Sequence, residues 1–334
     1  MNISTAVANA NIAIIKYWGN RNNKLILPAN SSLSFTMDEK LQTKTTLIFD
    51  ESFGLDELWI NDEKSGPNET KRVSSFIDVF RKLAETKMKA KVFSENSFPK
   101  GAGLASSASA FAALSHATSN ALDLDLNSKQ LSLLARFGSG SASRSVFGGA
   151  VEWNSGIKPD GSDCFSKQLL SEKKLKDLRN VIGIVEKSEK KVGSREGMSI
   201  TASTSKLYKK RLAEVSKRLE NAKRHVLNFN FQKLAPIIME ESNNMHLVMG
   251  DSIPPLVYLN STSKKIIKEI ENLNKENDFY LGAYTFDAGP NAHIYTTKKY
   301  AKIISSLLKD IPGIEEVLEC HIGKGVMPSK HHLM

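Results

Sequence analysis

Along the chain the spacing of apolar residues changes several times, and each change marks an element. Alternating or β-branched runs at residues 3–9, Leu33–Met37, Thr43–Phe49 and Glu57–Ile60 predict strands, with Gly and Asp between them. Over 69–87 the period lengthens, placing Val73, Phe76, Ile77, Phe80 and Leu83 on one helical face. A short strand at 89–94 leads through a Gly-rich turn, Pro99–Ser107, into an Ala-rich helix ending near Leu122, and a second helix runs from Ser128 to about Phe137. A strand near 179–186 precedes helical segments at 195–226, 230–249 and 262–274; strands return at 279–285 and 293–295, before a helix over 298–309. Strands and helices mix without regular βαβ alternation, which predicts an α+β fold rather than a doubly wound sheet. There is no internal repeat or low-complexity linker, and a domain boundary is expected near 185–190.

Size and composition narrow the class. A chain of 334 residues holds about two domains at ~150 residues each, and it buries enough surface to need no disulfide staple. Apolar and charged fractions of 40% and 25% exclude global disorder. Cys164 and Cys320 make no metal-ligand spacing and suit a reducing cytoplasm. No run of 18 apolar residues exists, and Met1–Val7 lacks the charged and apolar regions of a signal peptide, so a cytoplasmic protein is expected.

Charge is the unusual quantity, with a formal net charge of +10. Such a balance suits nucleic acid, an anionic membrane, or a cleft that draws in polyanionic small molecules. The basic residues at Lys209-Lys210-Arg211, Lys217-Arg218 and Lys264-Lys265 lie near Glu214, Glu220 and Glu269, the pattern of a solvated helix surface. No aromatic platform or RNP-like motif accompanies them, so nucleic acid is not expected as a partner, nor is a membrane.

Five segments carry candidate chemistry. The turn at 99–107 brings glycines, Ser106 and Ser107 to a helix N-terminus, a cradle for phosphate that also occurs without a ligand; it lacks the Gly-Lys-Ser/Thr ending of a Walker A loop. Gly138–Ser145, followed by Gly148-Gly149, places three serines and Arg144 within six residues and suits an oxyanion-rich ligand, or is a plain Ser/Gly loop. Lys16 interrupts an apolar strand-like run, where a lysine either meets an anion or snorkels at an edge. Lys190–Glu196 is a basic cluster with a Gly-Ser turn before a helix. Asp287 ends a strand at a Gly-Pro turn, as a capping residue or a carboxylate projecting into a cleft. The seven histidines show no metal-binding spacing, and no serine sits in a Gly-x-Ser-x-Gly elbow.

Taken together these segments resemble the mevalonate diphosphate decarboxylases, members of the GHMP family of small-molecule kinases. The resemblance runs through Asn11–Gly19, Leu27-Pro28 with Asn30–Ser34, Ala102–Ala108, Gly138–Trp153, Val192–Met198 with Thr204-Ser205, and Tyr284–Asn291. Lys16-Tyr17-Trp18-Gly19 and Phe286–Asn291 carry the decarboxylase branch. The resemblance implies a GHMP-kinase fold, with an N-terminal ribosomal protein S5 domain 2-like ATP-binding domain over 1–187 and a ferredoxin-like C-terminal domain over 188–334. It also implies a homodimer with its active site in the cleft between the domains.

The implied reaction uses ATP and Mg2+ to phosphorylate the 3-hydroxyl of mevalonate 5-diphosphate, after which phosphate and CO2 leave to give isopentenyl diphosphate. By that pattern Asp287 sits beside the 3-hydroxyl, as base or as the electrostatic partner of the reaction centre, and Arg144 holds the substrate carboxylate. Lys190 approaches the transferred phosphoryl group, and Lys16, Tyr17, Ser139, Gly140, Ser141, Ser194 and Arg195 surround the substrate. Ser94, Asn96, Gly101, Gly103, Leu104, Ala105, Ser106 and Ser107 bind the nucleotide, with Ser106 also near Mg2+. The chain departs from the pattern at Asn20, where lysine is usual, and at Asn9, where proline is common. The missing cation at Asn20 leaves mevalonate 5-phosphate open as a substrate, and a kinase without decarboxylation would share the ATP turn.

Overall fold

Strand and helix periods in this chain resolve into three main sheets wrapped by helices. The structure is a computed structural model and describes residues 2–98, 106–186 and 192–334. In the first half lie β1 (Asn2–Asn9), β2 (Asn11–Ile15), β3 (Asn20–Asn22), β4 (Leu27–Pro28), β5 (Ser32–Thr36), β6 (Gln42–Asp50), β7 (Glu57–Ile60), β8 (Glu63–Lys64), α1 (Pro67–Leu83), β9 (Lys89–Asn96), α2 (Ser106–Ala121), α3 (Ser128–Ala135), α4 (Ala142–Ser145), β10 (Ala150–Trp153) and β11 (Ser166–Leu170). The second half contains β12 (Leu178–Ile184), α5 (Ser194–Thr204), α6 (Tyr208–Leu227), α7 (Phe231–Gly250), α8 (Ser261–Asn277), β13 (Gly282–Phe286), β14 (Ala292–Thr297), α9 (Ala301–Lys309), β15 (Glu316–His321) and β16 (Met327–Ser329).

The first sheet has the order β16-β1-β6-β9-β7-β8, the second β11-β10-β5-β2, and the third β13-β14-β12-β15. Numbered along the chain, the third sheet reads 2-3-1-4, the ferredoxin-like order seen from its other edge. The C-terminal strand returns to the first half, with Thr5 opposite Ser329.

Three apolar cores follow from these layers. Leu47, Phe49 and Val92 of the first sheet meet Phe76 and Phe80 of α1 and Phe111 of α2. The second core joins both halves: Ile12 and Phe35 pack with Ile182 and Tyr295 of the third sheet and with Leu219 and Ile238 of α6 and α7. On the other face of the third sheet, Phe286 and Ile294 meet Ile266 of α8 and Ile304 of α9. Because one core crosses between the halves, residues at the ends of β2 and β13 are held at a fixed separation.

Several elements differ from expectation, each for a local reason. The helical run expected over 195–226 divides into α5 and α6, because Ser205 adopts an extended backbone. The Asp251 carboxylate then accepts the Ser205 hydroxyl and the Leu207 N–H, at 2.8 and 3.0 Å, in place of intrahelical bonds. The Ser/Gly segment at 138–145 is no plain loop, since it closes into α4 with Ser143, Arg144 and Ser145 all buried. Lys209, Lys210 and Lys217 are exposed as expected, but Arg211 and Arg218 point inward onto Glu241. Among the described residues no helix is long and apolar enough to cross a membrane.

Gly149 links α4 to β10 with φ of 75°, and a Cβ there would lie 2.0 Å from the Leu170 carbonyl oxygen. Positive φ and backbone overlap act together, so Gly149→Ala should lower the unfolding free energy by about 3 kcal/mol in urea titration.

Candidate active site

Lys16 follows the last residue of β2 and is 1% exposed, so it does not snorkel. Its ammonium donates to Asp287 Oδ1 at 2.7 Å, just beyond the end of β13. The Asp287 side chain keeps 31% of its surface exposed, and its open part faces a cavity of about 540 Å3. Arg144, 3% exposed on α4, lines the same cavity. Its Nε donates to Asn11 Oδ1 at 2.9 Å and its Nη1 to Ser32 Oγ at 2.7 Å, which fixes the guanidinium without a carboxylate. The Asn11 amide also reaches Ser141 O and Ser145 Oγ, at 2.9 and 2.8 Å, tying β2 to the turn before α4.

That turn carries a line of hydroxyls. Ser107 and Ser139 approach at 3.2 Å, and Ser139 and Ser141 at 3.1 Å. Gly140 is small of necessity, because a Cβ would stand 2.7 Å from the Tyr17 ring and 2.8 Å from that of Trp153. Tyr17 packs edge-on against Trp153 at 4.9 Å and donates its hydroxyl to Asn20 Oδ1 at 2.6 Å. Two helices, α2 from Ser106 and α5 from Ser194, begin at the cavity and turn their positive dipole ends toward it. Arg195 and Arg72 both donate to the Gly138 carbonyl, at 3.2 and 2.9 Å, which brings two cations to one wall.

The electrostatics follow from burial and pairing. Burial alone would raise the Asp287 carboxyl, but the Lys16 ammonium, helped by Arg144, holds it below the usual carboxylate range. Burial lowers Lys16, an effect that Asp287 and Glu241 oppose. His293 and His246, both near Asp287, are pushed down to about 4 by burial and are neutral at pH 7. Burial also lowers Arg144 to about 10, still a cation at neutral pH.

A second cavity of about 160 Å3 meets the first at Arg72, Ser106 and Ser107. Leu58, Ile60, Val73 and Val92 give it apolar walls, while Ser94 and Asn96 supply polar groups. Thr43 and Thr45 hold these two side chains on β9, with Thr43 donating to Asn96 Oδ1 at 2.7 Å and Thr45 lying 3.1 Å from Ser94 Oγ. Such a slot suits a flat heterocycle, with the α2 N-terminus placed for an attached anionic chain. Among the described residues no three His, Cys, Asp or Glu side chains could hold a metal ion; Ser106, at the start of α2, offers a hydroxyl to a hard cation beside ligand oxygens.

The structure thus collects Lys16, Tyr17, Ser106, Ser107, Ser139, Gly140, Ser141, Arg144, Ser194, Arg195 and Asp287 around one cavity, and Ser94 and Asn96 around its neighbour. Lys190, Gly101, Gly103, Leu104 and Ala105 lie outside the described residues. Sequence reasoning did not single out Asn11, Arg72, Met198 or Met245, which also line the main cavity. An amide inside the apolar run after Ala10 was a usable signal for Asn11, whereas Arg72 falls on the polar face of α1 and carried none.

Fold and site together define an ATP-dependent small-molecule enzyme of the GHMP-kinase type, with its cleft between two α+β halves. Residues 8–166 match the diphosphomevalonate decarboxylase-like N-terminal domain, and residues 180–331 match the mevalonate 5-diphosphate decarboxylase C-terminal domain. The chain belongs to the diphosphomevalonate decarboxylase family. It is 39% identical to the diphosphomevalonate decarboxylase of Candida albicans over 360 residues, covering 99% of each chain. The mevalonate diphosphate decarboxylase of Staphylococcus aureus superposes with a TM-score of 0.93 at 35% identity, over 98% of each chain. A structure of MDDEF in complex with MVAPP, AMPPCP and magnesium gives a TM-score of 0.91 at 34% identity, over 99% of each chain.

The Lys16–Asp287 pair predicts a pH-dependent stability difference. In wild type the lowered carboxyl contributes stability that is present above the unfolded pKa and lost as pH falls through the folded one. In Lys16→Met burial dominates and raises the carboxyl, so its contribution is present at low pH and lost as pH rises. The gap in unfolding free energy between wild type and Lys16→Met should therefore narrow between pH 7 and pH 4, as followed by urea titration.

Proposed function

We infer that this chain catalyses the ATP-dependent decarboxylation of mevalonate 5-diphosphate to isopentenyl diphosphate, releasing ADP, phosphate and CO2. The observation that carries the reading is the ionised Asp287 held by Lys16 beside Arg144 in the main cavity, in a chain of this family. A tertiary hydroxyl is a poor leaving group and phosphate a good one, so phosphorylation comes first. As phosphate and CO2 depart, the electron pair of the breaking bond to the carboxylate becomes the new double bond, and positive charge develops at C3.

Asp287 answers that charge. A carboxyl held below its usual range is a weak base, so its larger contribution is electrostatic, a fixed anion aimed at the reacting carbon. Arg144, already anchored by Asn11 and Ser32, loses little freedom on meeting the substrate carboxylate. Lys16, Tyr17, Ser139, Gly140, Ser141, Ser194 and Arg195 line the space around substrate and diphosphate, and Arg72 adds a cation on the same wall.

Ser94 and Asn96 would meet the nucleoside, and Ser106 and Ser107 its phosphates at the start of α2. Mg2+, with Ser106 as a protein ligand, supplies charge neutralisation on the phosphates when bound. Asn20 accepts the Tyr17 hydroxyl and adds no charge to this end of the site, which keeps the monophosphate ester in the comparison. We place the enzyme in the cytoplasm on its two buried, unpaired cysteines, and read it as a homodimer from the family resemblance, to be checked by light scattering.

The deciding assay presents mevalonate 5-diphosphate and 5-phosphate side by side and scores CO2 with ADP. The diphosphate should give equal amounts of both, and ADP without CO2 would mark a plain kinase. Asp287→Asn should cut kcat for CO2 release at least about a hundredfold, roughly 3 kcal/mol of barrier. Turnover within tenfold of wild type would contradict the role given to Asp287.

A further inference from the structure

What holds the Lys16–Asp287 pair in place lies behind the cavity, on α7. Two consecutive residues of that helix each bind one of the two segments that carry the pair. Glu241, with no exposed surface, accepts the Lys16 backbone N–H on Oε1 at 3.0 Å. Ser242, 1% exposed, accepts the N–H of Phe286, the residue before Asp287, on Oγ at 3.0 Å. Neither side chain lines the main cavity.

The anchors are themselves fixed. Arg211 donates to Glu241 Oε1 at 2.5 Å and Arg218 to Oε2 at 2.8 Å, both from α6. Asn244 takes further nitrogens of the same two guanidiniums at 2.6 and 3.0 Å. The Lys16 carbonyl is held from its other side by Asn30 Nδ2 at 2.9 Å. Leu234, Ala235 and Ile238 seat one end of α7 in the core shared by both halves, and Met245, Val248 and Met249 seat the other end beside Trp18.

A buried two-arginine, one-glutamate cluster is rarely needed for stability, since apolar side chains can do as well. Apolar side chains cannot accept the N–H groups of Lys16 and Phe286. We propose that Glu241 and Ser242 are positioning residues which set the placement of Lys16 against Asp287, so that a rigid helix rather than two strand ends fixes the separation of the reacting ion pair. The proposal rests on the reading of that pair given above. Its force comes from geometry: a displacement of about 1 Å at a reacting centre can cost a hundredfold in rate.

The test is kcat and KM for CO2 release by Ser242→Ala, Ser242→Thr and Glu241→Gln, each normalised to the folded fraction. Ser242→Ala removes one acceptor and little packing, so Tm should fall by no more than about 5 °C. Its kcat should drop ten- to a hundredfold, with KM for ATP and for the diphosphate within threefold of wild type. Ser242→Thr, which restores the hydroxyl, should recover most of the turnover. Glu241→Gln should lose at least as much kcat as Ser242→Ala.

The acid limb of the kcat profile should also move to higher pH in Ser242→Ala. Asp287 is faced by Lys16, Arg144, His246, His293 and Tyr295, and freeing the Phe286 N–H lets the Asp287 segment shift away from Lys16, the partner that keeps it ionised. Wild-type kcat and pH profile in Ser242→Ala, or a loss that Ser242→Thr does not recover, would overturn the proposal. Failure of the reading beneath it has a separate signature: no CO2 from wild type, or full turnover by Asp287→Asn.

Discussion

A lysine ammonium taken out of water costs several kcal/mol unless anions and dipoles meet it, and the site depends on how Lys16 is met. Its charged end finds Asp287, its peptide N–H finds Glu241, and its carbonyl finds Asn30. Those partners come from the end of β13, the middle of α7 and the turn before β5, segments far apart in sequence. Satisfying one buried residue therefore requires the two halves to close on each other, and the apolar core that joins β2, β5, β12, α6 and α7 makes that closure favourable.

The same bookkeeping separates structural cations from those open to a ligand. Arg211 pairs with Glu241, Arg218 with Glu241, Glu214 and Glu240, and Arg81 with Asp56 and Asp78. Arg144, Arg72 and Arg195 line the main cavity and form no ion pair among the described residues. With the N-termini of α2 and α5 beside them, they make a locally positive cleft suited to a diphosphate ester, a carboxylate and a nucleotide together. The net charge of +10 is thus partly spread over exposed helix lysines and partly concentrated where anions bind.

Much of this was legible in the chain, and the misses have physical causes. Long periodic segments such as α1 and α7, and β-branched strands such as β6, advertise themselves because one face is buried along their whole length. β10 escapes because Ala150–Trp153 is buried on both faces and contains Glu152, whose charge is met by Lys167 and Lys223 from elsewhere. The edge strands β15 and β16 are short and partly exposed, so neither alternates cleanly. Lys16, Arg144 and Asp287 stood out because charge or turn chemistry interrupted an expected pattern. Arg211 did not, because α6 is rich in charged residues and only the tertiary fold turns it inward, and Glu241 did not, because it follows Glu240, an identical residue that stays exposed.

The account turns on Asp287 being an anion kept ionised by Lys16. The most direct measurement is a 13C NMR titration of the Asp287 carboxyl carbon, assigned by its absence in Asp287→Asn. A midpoint below the ordinary aspartate value of about 3.9, moving upward in Lys16→Met, is the predicted result. A midpoint at or above that value in wild type, or no movement in Lys16→Met, would contradict it.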